Sequence, residues 1–349
     1  MFPFGPWECQ DVRTTRQLPR KPMPPISLPR RALLAGLTLP APLLGAPALA
    51  QSFPTRPLRV VVPFAAGGLT DSQMRVVCEG AARRLGQAIV VENRSGAGGI
   101  LGAQALANDR AADGYLLSQM PSSVFRYPLV AARPPFNPLT DFTYIIQLTG
   151  YVFGVAVRHD SPFRTLRDAL DYAKANPGRF TFGTTATGGT PHVTMEQVAR
   201  LHGAELTHVP FRGSSEIIPN VLNGSVEAIA SSSDWLPLVR EGRLRALCTW
   251  GAARSENLPD TPTLKELGFN IVQTGPYGIA GPKGMDPAVV KRIHDAFHEA
   301  LSDPEHLTTL RRFSMVVDYL DTAAFTASIP PLIEENRVVV EQLNLREPR

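Results

Sequence analysis

Cysteine is scarce, with three in 349 residues, and Cys9 falls in an N-terminal leader. Cys78 lies on an apolar helical stripe and Cys248 in the strand-like run LRALCTW, so both read as buried structural thiols rather than a disulfide pair. No Cys/His spacing suits a metal ion, and no metal or cofactor is expected. Catalytic signatures are missing as well. AAGGLTD, after the first strand-like run, has adjacent glycines only and not Gly-x-Gly-x-x-Gly. There is no Walker Gly-Lys-Ser/Thr and no Gly-x-Ser-x-Gly elbow, so acid, base and nucleophile are not assembled and an enzyme is not expected. A basic excess is lacking too. Six of the 35 basic residues and two of the 31 acidic ones lie within residues 1–50, which leaves 29 of each and no nucleic-acid footprint. Only one stretch, Ala32 to Leu49, is apolar over a length near that of a membrane span.

That stretch reads as an export signal. Arg30-Arg31 precedes it, Pro40, Pro42 and Pro47 break it, and Ala48-Leu49-Ala50 is a small-x-small cleavage site, so the mature chain begins at Gln51. The broken apolar run disfavours an anchor. The paired arginines leave the route open between the general secretory and twin-arginine pathways. Met23 offers an alternative start that makes residues 1–22 dispensable. The expected location is the periplasm.

Strand-like and helix-like segments then alternate. LRVVVPF (58–64), AIVVEN (88–93) and YLLSQM (115–120) read as strands, and Met74, Val77, Cys78, Ala81, Ala82 and Leu85 share one helical face. This β-α-β-α-β order predicts a parallel sheet covered by helices. A second unit repeats the pattern through YVFGVAVR (151–158), FTFGT (180–184), LTHVPF (206–211), VEAIASS (226–232) and LRALCTW (244–250). Asp286-Pro287 then opens another helix. The expectation is an α/β protein of two lobes, 53–150 plus 251–349 and 151–250, with a hinge and a ligand cleft between them.

Two strand ends run into Gly/Thr loops that open helices. The first carries Phe64, Ala66, Gly67, Gly68, Thr70 and Asp71, and the second Thr184, Thr185, Thr187, Gly189, Thr190 and His192. A helix's first turn has unpaired N–H groups and partial positive charge, glycine admits a ligand to the backbone, and hydroxyls add hydrogen bonds. Neither loop contains Lys or Arg, so an anion would rest on N–H groups and hydroxyls; Arg212 is the nearest basic alternative. His202 and His208 read as structural, and His192 as shaping the second loop. Asp234 either orders a loop or faces the cleft. Trp235 and Tyr277 are cleft aromatics or core.

Several longer segments are distinctive together. VVVPFAAGGLTD (60–71), IVVENRSGAGGILGAQALA (89–107), ADGYLL (112–117), SPFRTLRDALDYAKANPGRFTFGTTATGGTPH (161–192), HVPFRGSSEIIPNVLNGSVEA (208–228) and GRLRALCTWGAARSENLPDTPTLKELGF (242–269) resemble the extracytoplasmic solute receptors of tripartite tricarboxylate transporters, the Bug family. The resemblance covers residues 53–315 in order. It implies a type II periplasmic-binding-protein (Venus-flytrap) fold and capture of a small organic acid, or a related acid or amide, in the interlobe cleft. It implies delivery to the transporter's membrane subunits, and ligand loops at 65–71 and 184–190. An exported binding protein that serves a sensor instead is the alternative.

Overall fold

A computed structural model describes residues 53–345; the leader, Met23 and the expected cleavage site lie outside them. The elements in order are β1 (Leu58–Val62), α1 (Leu69–Leu85), β2 (Ile89–Asn93), α2 (Leu101–Asn108), β3 (Leu116–Met120), α3 (Ser123–Val130), β4 (Phe142–Arg158), α4 (Leu166–Ala175), β5 (Phe180–Thr184) and α5 (Thr190–His202). They continue with β6 (Leu206–Pro210), α6 (Ser214–Leu222), β7 (Ala228–Ser232), α7 (Leu236–Arg240), β8 (Leu244–Thr249), β9 (Thr274–Pro282), α8 (Pro287–Ala300), α9 (Pro304–Arg312), β10 (Val316–Leu320) and α10 (Thr322–Leu343).

Local sequence accounts for many of these boundaries. Thr165 and Asp168 close a capping box at the start of α4. Asp286 accepts from the Ala288 N–H ahead of α8, with Pro287 at the first helical position. Gly86 and Gly203 end α1 and α5 in the left-handed conformation that other residues avoid.

The strands form two lobes that share β4. In one, β2, β1 and β3 are parallel, β9 is antiparallel to β3, and the first part of β4 lies between β9 and β10. In the other, β6, β5 and β7 are parallel, and the second part of β4 lies between β7 and β8. The sheet expected to be parallel therefore has antiparallel strands on one side in both lobes. β4 is 17 residues long and almost wholly buried, and it runs through both lobes without a break. One apolar cluster follows it, from Leu58 and Val60 through Ile146 and Val155 to Phe180 and Phe182. Burial of this kind, at about 25 cal/mol per Å² of apolar surface, holds the lobes together.

At the crossing, aromatic rings line up. Tyr151 packs tilted against Tyr277 with centroids 4.6 Å apart, and Phe153 lies 5.5 Å from Tyr151 and 5.6 Å from Trp250. Tyr277 and Trp235 are fully buried and belong to the core. The Tyr277 hydroxyl donates to Gln73 Oε1, and Gln73 Nε2 meets His306 Nε2 at 2.8 Å, which ties α1 to α9. Cys78 and Cys248 are both free and buried. Among the described residues no helix is long and apolar enough to cross a membrane.

Candidate functional site: a cleft at converging helix N-termini

The parallel strands end facing one another, so the helices that follow begin at a common cleft, the usual ligand position for such sheets. Four helices meet there, each with its cap and first turn on the wall. They are α1 at Gly68, Leu69 and Thr70, α3 at Ser122 and Ser123, α5 at Gly189, Thr190 and Pro191, and α6 at Gly213 and Ser214. None of the four has a side-chain hydrogen bond at its N-cap. Each start carries partial positive charge of about half a unit from aligned peptide dipoles. Among the described residues no charged side chain lines the cleft.

The lobes touch across this cleft. Ser122 Oγ and Thr190 Oγ1 are 3.0 Å apart, and within the first lobe Thr70 Oγ1 lies 2.7 Å from the hydroxyl of Tyr151, where β4 still pairs with β9. Arg126, on α3, is 4 % exposed. Its Nη1 donates to the Gly188 carbonyl, its Nη2 to Thr190 Oγ1 and its Nε to Asn336 Oδ1 on α10. Burial pulls its pKa down to about 10, which still leaves it charged at neutral pH.

Of the residues singled out from sequence, Phe64, Gly68, Thr70, Thr185, Gly189 and Thr190 border the cleft. Ala66, Gly67 and Thr187 are exposed on the loops and lie outside its wall. Asp71 points inward, accepting from the Gly67 N–H, Arg75 Nε and Asn93 Nδ2, and so braces the first loop. Burial alone would raise its pKa, but these hydrogen bonds outweigh it and hold the carboxyl below its usual value. Arg212 is exposed and outside the wall; its backbone N–H donates to Glu216. Asp234 lies behind the wall and accepts from Ser231 Oγ. Burial pushes its pKa up to about 6, while the Ser214 and Ser231 hydroxyls pull it back.

The second loop rests on a histidine pair. His192 and His208 stack with centroids 3.9 Å apart. His192 Nδ1 accepts from the Gly188 N–H, and His208 Nε2 meets Thr184 Oγ1 at 2.7 Å. Thr184 is thereby turned away from the cleft, with its hydroxyl donating to the Ala186 carbonyl. Burial lowers both histidines to about 4, with the Arg126 charge adding to the effect on His192 and His192 to that on His208.

These shifts set a pH dependence. Unfolded histidine titrates near 6.5, so this pair's contribution to stability is complete above pH 6.5 and is lost as pH falls toward about 4. Asp234 and Glu196, both raised by burial, work in the opposite sense: their cost to the native state is relieved as pH falls. Two histidines outweigh them in the upper part of the window, so Tm should decline from pH 7 to 5. The slope per histidine stays below the about 1.4 kcal/mol per pH unit of a fully buried group, because both are partly exposed. His208→Gln should flatten the decline and Asp234→Asn should steepen it. Thermal melts at half-unit pH steps check both signs; a wild-type curve that rises toward pH 5 contradicts the assignment.

Sequence reasoning passed over Ser122, Ser123, Tyr151 and Arg126. A Ser-Ser pair one proline past the strand YLLSQM was the available signal for α3. Arg126 gave none, standing alone in SSVFRYPLV.

Comparison with known proteins identifies the family and the fold. Residues 73–345 match the family described as the tripartite tricarboxylate transporter family receptor. A Cupriavidus necator protein from the gbd 5' region is 41% identical over 317 residues, spanning 90% of this chain and 96% of its own. MatC of Rhodopseudomonas palustris, solved with bound malate, superposes with a TM-score of 0.77 at 26% identity, covering 82% of this chain and 100% of MatC. A further R. palustris protein, solved with adipate, gives 0.78 at 25% identity, covering 84% and 98%. With the α/β architecture of a two-lobed periplasmic binding protein and a family match over most of its length, the chain belongs to the tripartite tricarboxylate transporter family of receptors.

Proposed function

We propose that this chain is an exported receptor that captures a small dicarboxylate between its lobes and hands it to the membrane subunits of a tripartite transporter in the periplasm. The lobes would be 53–150 with 251–349, and 151–250. The observation that carries the reading is the convergence of four helix starts, without side-chain caps, on a cleft lined by no charged side chain. Such a site holds a carboxylate by N–H groups and by the hydroxyls of Thr70, Ser122, Thr185, Thr190 and Ser214. The described residues on its wall include no activated nucleophile or general base, which supports binding and release without chemistry. The malate and adipate relatives support the ligand class.

Isothermal titration of the mature protein with malate, adipate and their diamides tests this. The acids should bind, the diamides at least tenfold more weakly, and the acids should raise Tm in proportion to the logarithm of ligand concentration over Kd. No heat and no Tm shift with any small mono-, di- or tricarboxylate would sink it.

A further inference from the structure

Arg126 is buried among neutral partners only. The Gly188 carbonyl, the Thr190 hydroxyl and the Asn336 amide oxygen satisfy three of its donors, and it forms no ion pair among the described residues. Glu335 borders the same crevice behind Arg126 but is exposed and not bonded to it. A buried cation without a counter-charge is costly, and the cost falls when an anion arrives nearby. Ser122 borders both that crevice and the ligand cleft, and Thr190, which Arg126 holds, lies on the cleft wall. Arg126 thus stands one hydroxyl behind the cleft wall.

We propose that Arg126 is a positioning residue that makes closure conditional on the ligand's negative charge. It latches the α5 loop to α3 and α10 through Gly188, Thr190 and Asn336, and its unmatched charge is neutralised only when a carboxylate lies on Thr190 and Ser122. The inference deepens the proposed capture of a dicarboxylate and rests on it. It adds that dianions are preferred over monoanions of the same shape, through a residue that does not touch them. Asp234, the acidic group behind the Ser214 wall, is not paired with Arg126 and leaves its charge in place.

Two variants separate charge from structure. Arg126→Met removes the charge and keeps much of the bulk. Asn336→Asp leaves Arg126 in place and gives its Nε a carboxylate partner, so the latch is strengthened while its charge is quenched. The mature wild type and both variants are titrated with adipate and with its monoamide, and closure is followed by small-angle scattering. For both variants the adipate-to-monoamide affinity ratio should fall at least tenfold, and adipate should no longer contract the protein. Arg126→Lys should recover part of the ratio. If Asn336→Asp binds adipate as well as or better than the wild type, Arg126 is only a structural tie and the proposal falls while the capture reading stands. The proposal falls in the same way if either variant weakens both ligands equally. Should Arg126→Met fail to fold, Asn336→Asp decides alone. If the wild type binds neither ligand, nor any other small carboxylate, both readings fall together.

Discussion

Gly68→Val should raise the Kd for a bound dicarboxylate by at least about 100-fold and leave the protein folded. Gly68 is the N-cap of α1 on the cleft wall, with φ −77°, a conformation any residue adopts. A first carbon placed there would lie 3.6 Å from the Ala65 carbonyl and from Ser214 Oγ, an ordinary contact. Valine's two further methyls then occupy the approach to the first N–H groups of α1. Losing two hydrogen bonds to a charged group, at roughly 1.5–3 kcal/mol each, costs about 3 kcal/mol or more, which is the stated factor. Calorimetry gives Kd and a thermal melt gives folding. Arg212→Gln, at an exposed position outside the wall, should bind as the wild type does. The reverse outcome, with Gly68→Val binding normally and Arg212→Gln not, would place the anion on an arginine.

Gly278→Ala is expected to have the largest effect on stability, roughly 3 kcal/mol and a Tm lower by about 6–10 °C. Gly278 lies in β9, opposite Gln147 of β4 and Met120 of β3, between two register shifts in the β4–β9 ladder. A side-chain carbon there would strike the Ile146 carbonyl, and would lie 2.6 Å from the Phe325 ring and 2.9 Å from Gln147 Cα. Two of these neighbours are backbone in the centre of a sheet and cannot give way cheaply. Chemical denaturation of the variant against Gly68→Ala, whose new methyl meets only ordinary contacts, measures the difference. Equal stabilities would refute the packing argument.

The same crowding explains what the sequence hid. TGPYGIAGP carries the composition of a turn, yet it is β9, the strand between β3 and β4. Its glycines serve close approach to Phe153, Ile146 and Met285 rather than turning, and only tertiary structure reveals this. The first part of β4 was missed for a related reason. Residues 144–150 are all buried, so the alternation that marks a half-buried strand is absent, and Gln147, Thr149 and Gly150 break the apolar run that made YVFGVAVR readable. By contrast FTFGT and the first helical face stood out, because strand and helix periods and Gly stops agreed there. The two Gly/Thr loops were legible from their position between strand and helix. Which of their residues face the cleft was not, since Asp71 and Thr184 turn inward to partners, Asn93 and His208, that are distant in sequence.

An uninterrupted β4 also governs how the lobes can move. A hinge made of a loose loop swings freely over wide angles. A strand bonded to β9 and β10 at one end and to β7 and β8 at the other has no free joint. Relative rotation must be spread as twist along several residues near Tyr151, as in a torsion bar, with a restoring torque that grows with angle. Any closure by the proposed ligand would then work against an elastic element that helps to reopen the lobes on release.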